Sequence, residues 1–438
     1  MSFLEMGRKL GSDIIYLNIV GKSIVILNSA QAASDLLDKR SSIYSDRIGV
    51  PMLSDPTLMD WPDFPGMLPY NDLLRRQRRR MTSWLNPRAA RQFEGLQQDE
   101  ACFLLGRLLD LSRRSILSDE VKHQFSFTGG STMLRLTYGY RPQNEKDMIY
   151  MNAIQALMNF NSSVLMSNFL VNAFPILARL PDWAPGTGWK RTARKWREQK
   201  NEALDAPYQW TKQQIARGDF EHSVLSSLLD EDEYNSELST IDQEKELKEL
   251  CYTLFIGGTE TLATALLSFV AAMIKSPDAQ MKAQAEVDSA IGYATRLPRL
   301  TDIPQLPYIR RLTLEVLRWL PVAPTGGPPH ACSQDNVYRG YDIQKGTMVM
   351  GNLWAMSRDK TIYNNPEIFD PERFADPNIT PLPSFGWGKR TGTNGKQITP
   401  KFGDSYTNLS LTLSSFEFEL RPRSEEHRRL ILENIPKR

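Results

Sequence analysis

Apolar residues recur along most of this chain at the spacing of one buried helix face. They do so from Asp72 to Asp110, Ala153 to Leu170, Gly188 to Ala216 and Lys245 to Lys275. Helices are also read from Ser29 to Arg40 and from Pro307 to Leu320. Ahead of the first of these, Ile14 to Leu17 and Ser23 to Leu27 read as two short strands joined through Gly21-Lys22. After Gly340 come strand-like pieces, Tyr341 to Ile343 and Thr347 to Met350, and then Pro-rich irregular chain through Pro383. Near the end Leu409, Leu411 and Leu413 alternate on odd positions and Phe416, Phe418 and Leu420 on even ones. The face therefore switches at Ser414-Ser415, which predicts two strands broken there. No repeat period interrupts this order, and the pattern as a whole predicts a mainly α chain with small β-sheets.

One stretch, Cys251 to Ile274, is apolar enough to pass for a membrane span. Glu260 stands in its middle, where a lone carboxylate is costly in lipid, so a buried central helix is expected instead. The polar, acidic run between Leu228 and Glu249 reads as an exposed connector into that helix. Charge adds an exclusion. With 53 basic and 51 acidic residues the net charge is +2, which supplies no bulk field to gather nucleic acid or an anionic membrane. No nucleic-acid partner is expected. Cys102, Cys251 and Cys332 are too few and too odd for a disulfide framework, which points to a reducing compartment. The four histidines lie too far apart for a short His-x-x-x-His metal site. The N-terminus, with Glu5, Arg8 and Lys9 and no long apolar core, reads as neither signal peptide nor anchor, so the chain as written reads as cytoplasmic.

Three constellations carry candidate chemistry. In the central helix, Gly257-Gly258-Thr259-Glu260-Thr261 sets two glycines beside an acid and an alcohol, although each glycine costs a helix about 1 kcal/mol relative to alanine. Either something approaches that backbone, or the glycines serve close helix packing and Thr261 bonds back to a carbonyl one turn earlier. Glu315 and Arg318 lie three apart on one helix face, by themselves no more than a surface ion pair. The run Arg75-Arg76-Gln77-Arg78-Arg79-Arg80 is of a kind that nuclear signals and nucleic-acid patches also use.

Order changes their weight. Glu315-x-x-Arg318 is followed by Pro371-Glu372-Arg373-Phe374 and then by Phe385-Gly386-Trp387-Gly388-Lys389-Arg390, while Pro69-Tyr70-Asn71-Asp72 precedes the basic helix. In these motifs the chain resembles the cytochrome P450 monooxygenases of fungal secondary metabolism, over essentially its whole length and as one domain spanning residues 1–438. The resemblance implies a cytochrome P450 fold in which Glu315, Arg318 and Arg373 form a buried ionic triad. Glu260 and Thr261 would be the catalytic acid and alcohol that relay protons during dioxygen activation. Arg78, His330 and Arg390 would hold the propionates of haem b, with Phe385 and Gly258 also against the cofactor. The other arginines of the basic helix would face a cytochrome P450 reductase that passes on electrons from NADPH. The segment from Ile48 to Leu68, rich in Met, Leu, Trp and Phe, would wall a site for a small lipophilic substrate. The family's usual setting is the cytosolic face of the endoplasmic reticulum membrane, and a monomer is expected.

Two departures stand out. Leu74 replaces the tryptophan usual in the basic helix, removing one propionate donor. The cysteine whose thiolate ligates the iron should follow Arg390 after one residue, and Gly392 stands in its place. Cys102, Cys251 and Cys332 lie elsewhere in the aligned frame, so no metal ligand is expected. Residues Gly392 to Pro400 resemble the turn that comes only after the cysteine loop and its following helix, which predicts an internal deletion between Thr391 and Gly392 and an incomplete proximal haem side.

Overall fold

Helices begin and end where the sequence supplies caps. Asn71 is extended and its side chain accepts from the Leu74 amide, opening Asp72–Leu85. The periodicity predicted one helix from Asp72 to Asp110, and the structure breaks it at Asn86-Pro87. Asn86 is extended, as a residue before proline prefers to be, and its side chain caps the next short turn, Pro87–Ala90. A second long helix, Glu94–Leu111, then follows. Gly139, at φ +70°, closes Ser118–Tyr138, a left-handed position that a β-carbon would resist. A computed structural model describes residues 2–112, 114–230, 240–387, 411 and 413–436.

The remaining long helices are Met148–Val164, Gly188–Arg217, Thr240–Lys275, Pro277–Ile291 and Pro307–Trp319. Thr240–Lys275 is the central one. It is long and apolar enough to cross a membrane, yet Leu250, Cys251, Phe255, Ile256 and Ala263 are fully buried against other helices. Its closest partner is Ser118–Tyr138. A β-carbon added at Gly129 would lie 2.8 Å from the Thr259 carbonyl oxygen, and one at Gly258 would lie 2.3 Å from the Met133 sulfur. Small residues thus let the two backbones nearly touch.

Beside the helices lies a five-stranded sheet. Its spatial order is Ile14–Ile19, Lys22–Leu27, Met348–Gly351, His330–Ala331, Asp46–Arg47. The first two strands are the predicted hairpin, in antiparallel register from Ile14 opposite Leu27 to Ile19 opposite Lys22. Met348–Gly351 joins Lys22–Leu27 in parallel, with Ile24 opposite Met348, which tethers the chain's beginning to its last third. Asn336–Tyr338 and Tyr341–Ile343 form a separate hairpin. Of the two strands expected at the end, one exists among the described residues: Glu417–Glu419, paired with Ser115–Leu117. Residues 413–416 run without regular structure, and 409, 410 and 412 lie outside the described residues. The acidic connector is shorter than expected, because Val224–Asp230 is helical and the central helix already begins at Thr240.

Candidate functional site

The ionic triad forms. Arg318 meets Glu315 twice, Nε to Oε2 and Nη2 to Oε1, both at 2.7 Å, and Arg373 Nε reaches Oε1 at 3.1 Å. Neither Glu315 nor Arg318 exposes any side-chain surface. The remaining donors serve the backbone of the irregular segment. Arg318 Nη1 donates to the carbonyls of Ser357 and Pro366, and Arg373 donates to those of Asn364 and Ile368. The Asp370 amide returns a bond to Glu315 at 2.9 Å. An i,i+3 pair that alone suggested a surface bridge is therefore the pin for the stretch from Ser357 to Arg373.

On the central helix the two readings of the glycine pair divide between the two glycines. Gly258 packs on Met133, whereas an added β-carbon at Gly257 would meet nothing within 4 Å. Thr261 lies one turn beyond Gly257 on this open side, and its hydroxyl donates to the Gly257 carbonyl at 2.5 Å. Glu260 stands on the neighbouring flank, accepting from Ser126 at 3.4 Å, and adds to burial and the Glu145 charge in raising the pKa of Tyr150. Acid and alcohol thus sit on adjoining flanks of one turn. The division predicts opposite responses. Gly129→Ala, which forces two backbones apart, should cost about 1–3 kcal/mol in urea unfolding. Gly257→Ala should be neutral or stabilising by up to about 1 kcal/mol through helix propensity.

His330 gathers the basic side chains. Its residue is 6% exposed and its Nδ1 is buried with no hydrogen-bond partner. Its strand pairs antiparallel with Asp46–Arg47, setting Arg47 directly opposite it. Burial first, and then the charges of Arg47 and Arg78, hold the imidazole pKa well below its ordinary value. Arg47 carried no signal in the sequence, because only the strand pairing brings it to a histidine some 280 residues away. Gln77, on the basic helix, is also fully buried, with neither end of its amide partnered.

The rest of that helix departs from expectation. Arg76 and Arg80 turn to the buried carboxylate of Glu246 on the central helix, Arg76 Nη2 at 2.7 Å and Arg80 Nη1 at 3.1 Å. Arg75 and Arg79 are the arginines left facing outward. Phe385 is 47% exposed, while Trp387 is buried over two glycines, where a β-carbon on Gly351 would collide with its ring. Arg390, Gly392 and the junction after Thr391 lie outside the described residues.

The cytochrome P450 family model matches residues 2–431. The chain belongs to the cytochrome P450 family. Among curated P450 relatives, monooxygenase 98 of Postia placenta is 35% identical over 398 residues, covering 89% of this chain and 74% of its own length. Monooxygenase 226 of the same fungus is 32% identical over 469 aligned positions, covering 99% of this chain and 86% of its own length. Those 469 positions exceed the 438 residues here by 31, so at least that many residues of the relative have no counterpart in this chain. A solved zebra fish cytochrome P450, described with progesterone, superposes with a TM-score of 0.71 at 22% identity, covering 88% of this chain and 85% of that one, which shows the shared fold.

P450 enzymes hold haem, and the residues present meet one side of it. The orphaned His330 Nδ1 with Arg47 and Arg78 beside it suits the carboxylates. The iron side does not fit. All three cysteines are buried, and burial raises each thiol's pKa, disfavouring the thiolate that would bind a metal. Cys251 lies inside the helix-packed core, and Cys332 donates to the Gln334 carbonyl at 2.8 Å.

Proposed function

We propose that this P450 frame is built to oxidise a small lipophilic compound of fungal secondary metabolism, using dioxygen and electrons from NADPH through a cytochrome P450 reductase. We further propose that the chain as it stands does not carry out that reaction. The observation that carries this reading is Gly392 in the place of the ligating cysteine, with no cysteine anywhere after Cys332. At least 31 residues of a relative without counterparts here are in keeping with a lost internal segment between Thr391 and Gly392. The lipophilic character of the substrate rests on the family resemblance, because Met52, Leu53, Leu58, Met59, Trp61 and Phe64, expected to wall the site, are packed into the main apolar cluster instead. The outward Arg75 and Arg79 support a reductase-facing role for the basic helix, at the cytosolic face of the endoplasmic reticulum. Thr261 on the open side of the central helix and Glu260 on the flank beside it would then serve proton delivery, in a monomer.

The purified chain, reconstituted with haem, reduced and exposed to carbon monoxide, is expected to lack the thiolate-type absorption band. Sequencing the transcript across the Thr391/Gly392 codons separates the two parts of the proposal. An in-frame segment carrying a cysteine there would return catalysis to the protein, and a continuous junction would leave an inactive member of the family.

A further inference from the structure

We infer that Thr82 is a phosphorylation site, taken by a protein kinase with an acidic substrate groove, and that the phosphate switches off the outward basic face of its helix. The second half rests on the reading of Arg75 and Arg79 as the reductase-facing surface.

An acidic kinase groove selects arginines placed three and two residues ahead of the accepting hydroxyl, through charge-assisted bonds. An arginine pair so placed before a threonine or serine occurs twice in the chain, in Arg79-Arg80-Met81-Thr82 and in Arg310-Arg311-Leu312-Thr313. Both threonines are exposed. Both hydroxyls donate along their own helix, Thr82 to the Arg78 carbonyl at 2.7 Å and Thr313 to the Ile309 carbonyl at 2.9 Å. Sequence does not separate the two, but tertiary structure does.

The groove takes its substrate extended, so the turn that carries the hydroxyl must come away from its helix. Thr313 is held against this. It lies inside Pro307–Trp319, ahead of Glu315 and Arg318, whose side chains are fully enclosed, and Arg311 is itself paired with Glu372 at 3.2 Å. Thr82 instead stands in the last turn of Asp72–Leu85, where helices fray, with the Asn86-Pro87 break just behind it. Arg79 already faces outward. Arg80 would give up its bond to Glu246, and that carboxylate keeps Arg76, through Nε at 2.9 Å and Nη2 at 2.7 Å.

In the transfer the Thr82 oxygen bonds to the γ-phosphorus of a nucleoside triphosphate. The bond from that phosphorus to the β-phosphate oxygen breaks, the diphosphate leaves, and the hydroxyl proton passes to the kinase. The phosphate adds a charge of about −1.5 to −2 on the face that Thr82 shares with Arg75 and Arg79 at helical spacing. It thereby cancels most of the outward positive charge of those two side chains.

The experiment incubates the purified chain with magnesium ATP and the catalytic subunit of the cyclic-AMP-dependent protein kinase, and maps phosphate by mass spectrometry, with Thr82→Ala as the control. Thr82 is expected to be labelled at least about tenfold faster than Thr313. The labelled chain should bind cytochrome P450 reductase about tenfold more weakly at low salt, and Arg75→Gln about twofold to fivefold more weakly. Thr313 labelled as fast as Thr82, or no phosphate on Thr82, overturns the site. Labelling of Thr82 that leaves reductase binding unchanged, while Arg75→Gln weakens it, overturns the regulation alone. Binding that neither change affects overturns the reading of the basic helix as the reductase surface, and the regulation with it.

Discussion

Arg318→Leu lowers the free energy of unfolding by about 3–5 kcal/mol, the range for removing one partner from a buried ion pair. The guanidinium carries two bonds to Glu315 and bonds to the Ser357, Pro366 and Ile368 carbonyls, and those to Ser357 and Pro366 lie buried away from water. Leucine fills part of the volume and leaves a carboxylate with Arg373 as its remaining ionic partner. Domains of this kind are stable by about 5–15 kcal/mol, so this one change takes a large share of the total. Arg318→Lys, which keeps the charge but loses the fork, should fall between wild type and leucine. Urea unfolding measures both, and limited proteolysis should find new cleavage between Ser357 and Arg373. A leucine variant that melts within about 1 kcal/mol of wild type would show that the triad is not what pins this segment.

Glu249→Gln removes the fall in stability that this carboxyl causes as pH rises from about 4.5 to about 7, and leaves the opposing slope of the buried neutral His330, which loses stability as pH drops below about 6.5. Glu249 is buried on the central helix, accepting from the Trp61 indole N–H, with the Lys200 ammonium facing the same ring at 5.8 Å. Burial pushes its carboxyl up from the ordinary 4.5 to about 7, outweighing the Trp61 bond and the attraction of Lys200. In that window the folded chain therefore holds a proton that the unfolded chain has released. Stability is full below about pH 4.5, falls as pH rises, and above about pH 7 is lower by about 3 kcal/mol from this group. Glutamine can still accept from Trp61 without that titration. Unfolding curves at several pH values measure the slope for each form, and equal slopes would remove Glu249 as its source.

The helical skeleton was legible because its apolar positions keep one period over many turns. Gly188–Arg217 and Pro307–Trp319 agree with the expected spans to within a residue. Failures occurred where local chemistry overrides period. Asn86-Pro87 breaks a helix whose apolar stripe continues on both sides, and alternation from Leu409 onward produced one strand rather than two among the described residues. The triad could be named in advance because ordered motifs carried it, while spacing alone argued for a trivial surface pair. Arg47 could not be named, nor could the Glu246 carboxylate that takes Arg76 and Arg80. Both depend on tertiary approach between elements with no shared local pattern. The two glycines at 257 and 258 are adjacent in sequence and identical in type, so only their surroundings tell which one packs and which one faces open space.

The parallel pairing of Ile24 to Leu27 with Met348 to Gly351 has a consequence for biosynthesis. On the ribosome the amino-terminal hairpin emerges early, yet the strand that completes its inner edge is made 324 residues later. At about 5–20 residues per second, that delay is roughly a quarter of a minute to a minute. Throughout it the apolar backbone edge of Ile24 to Leu27 is without its native neighbour, and such an edge invites pairing with other chains. The protein is thus most in need of chaperone cover at its amino-terminal end, long before the last residue is added.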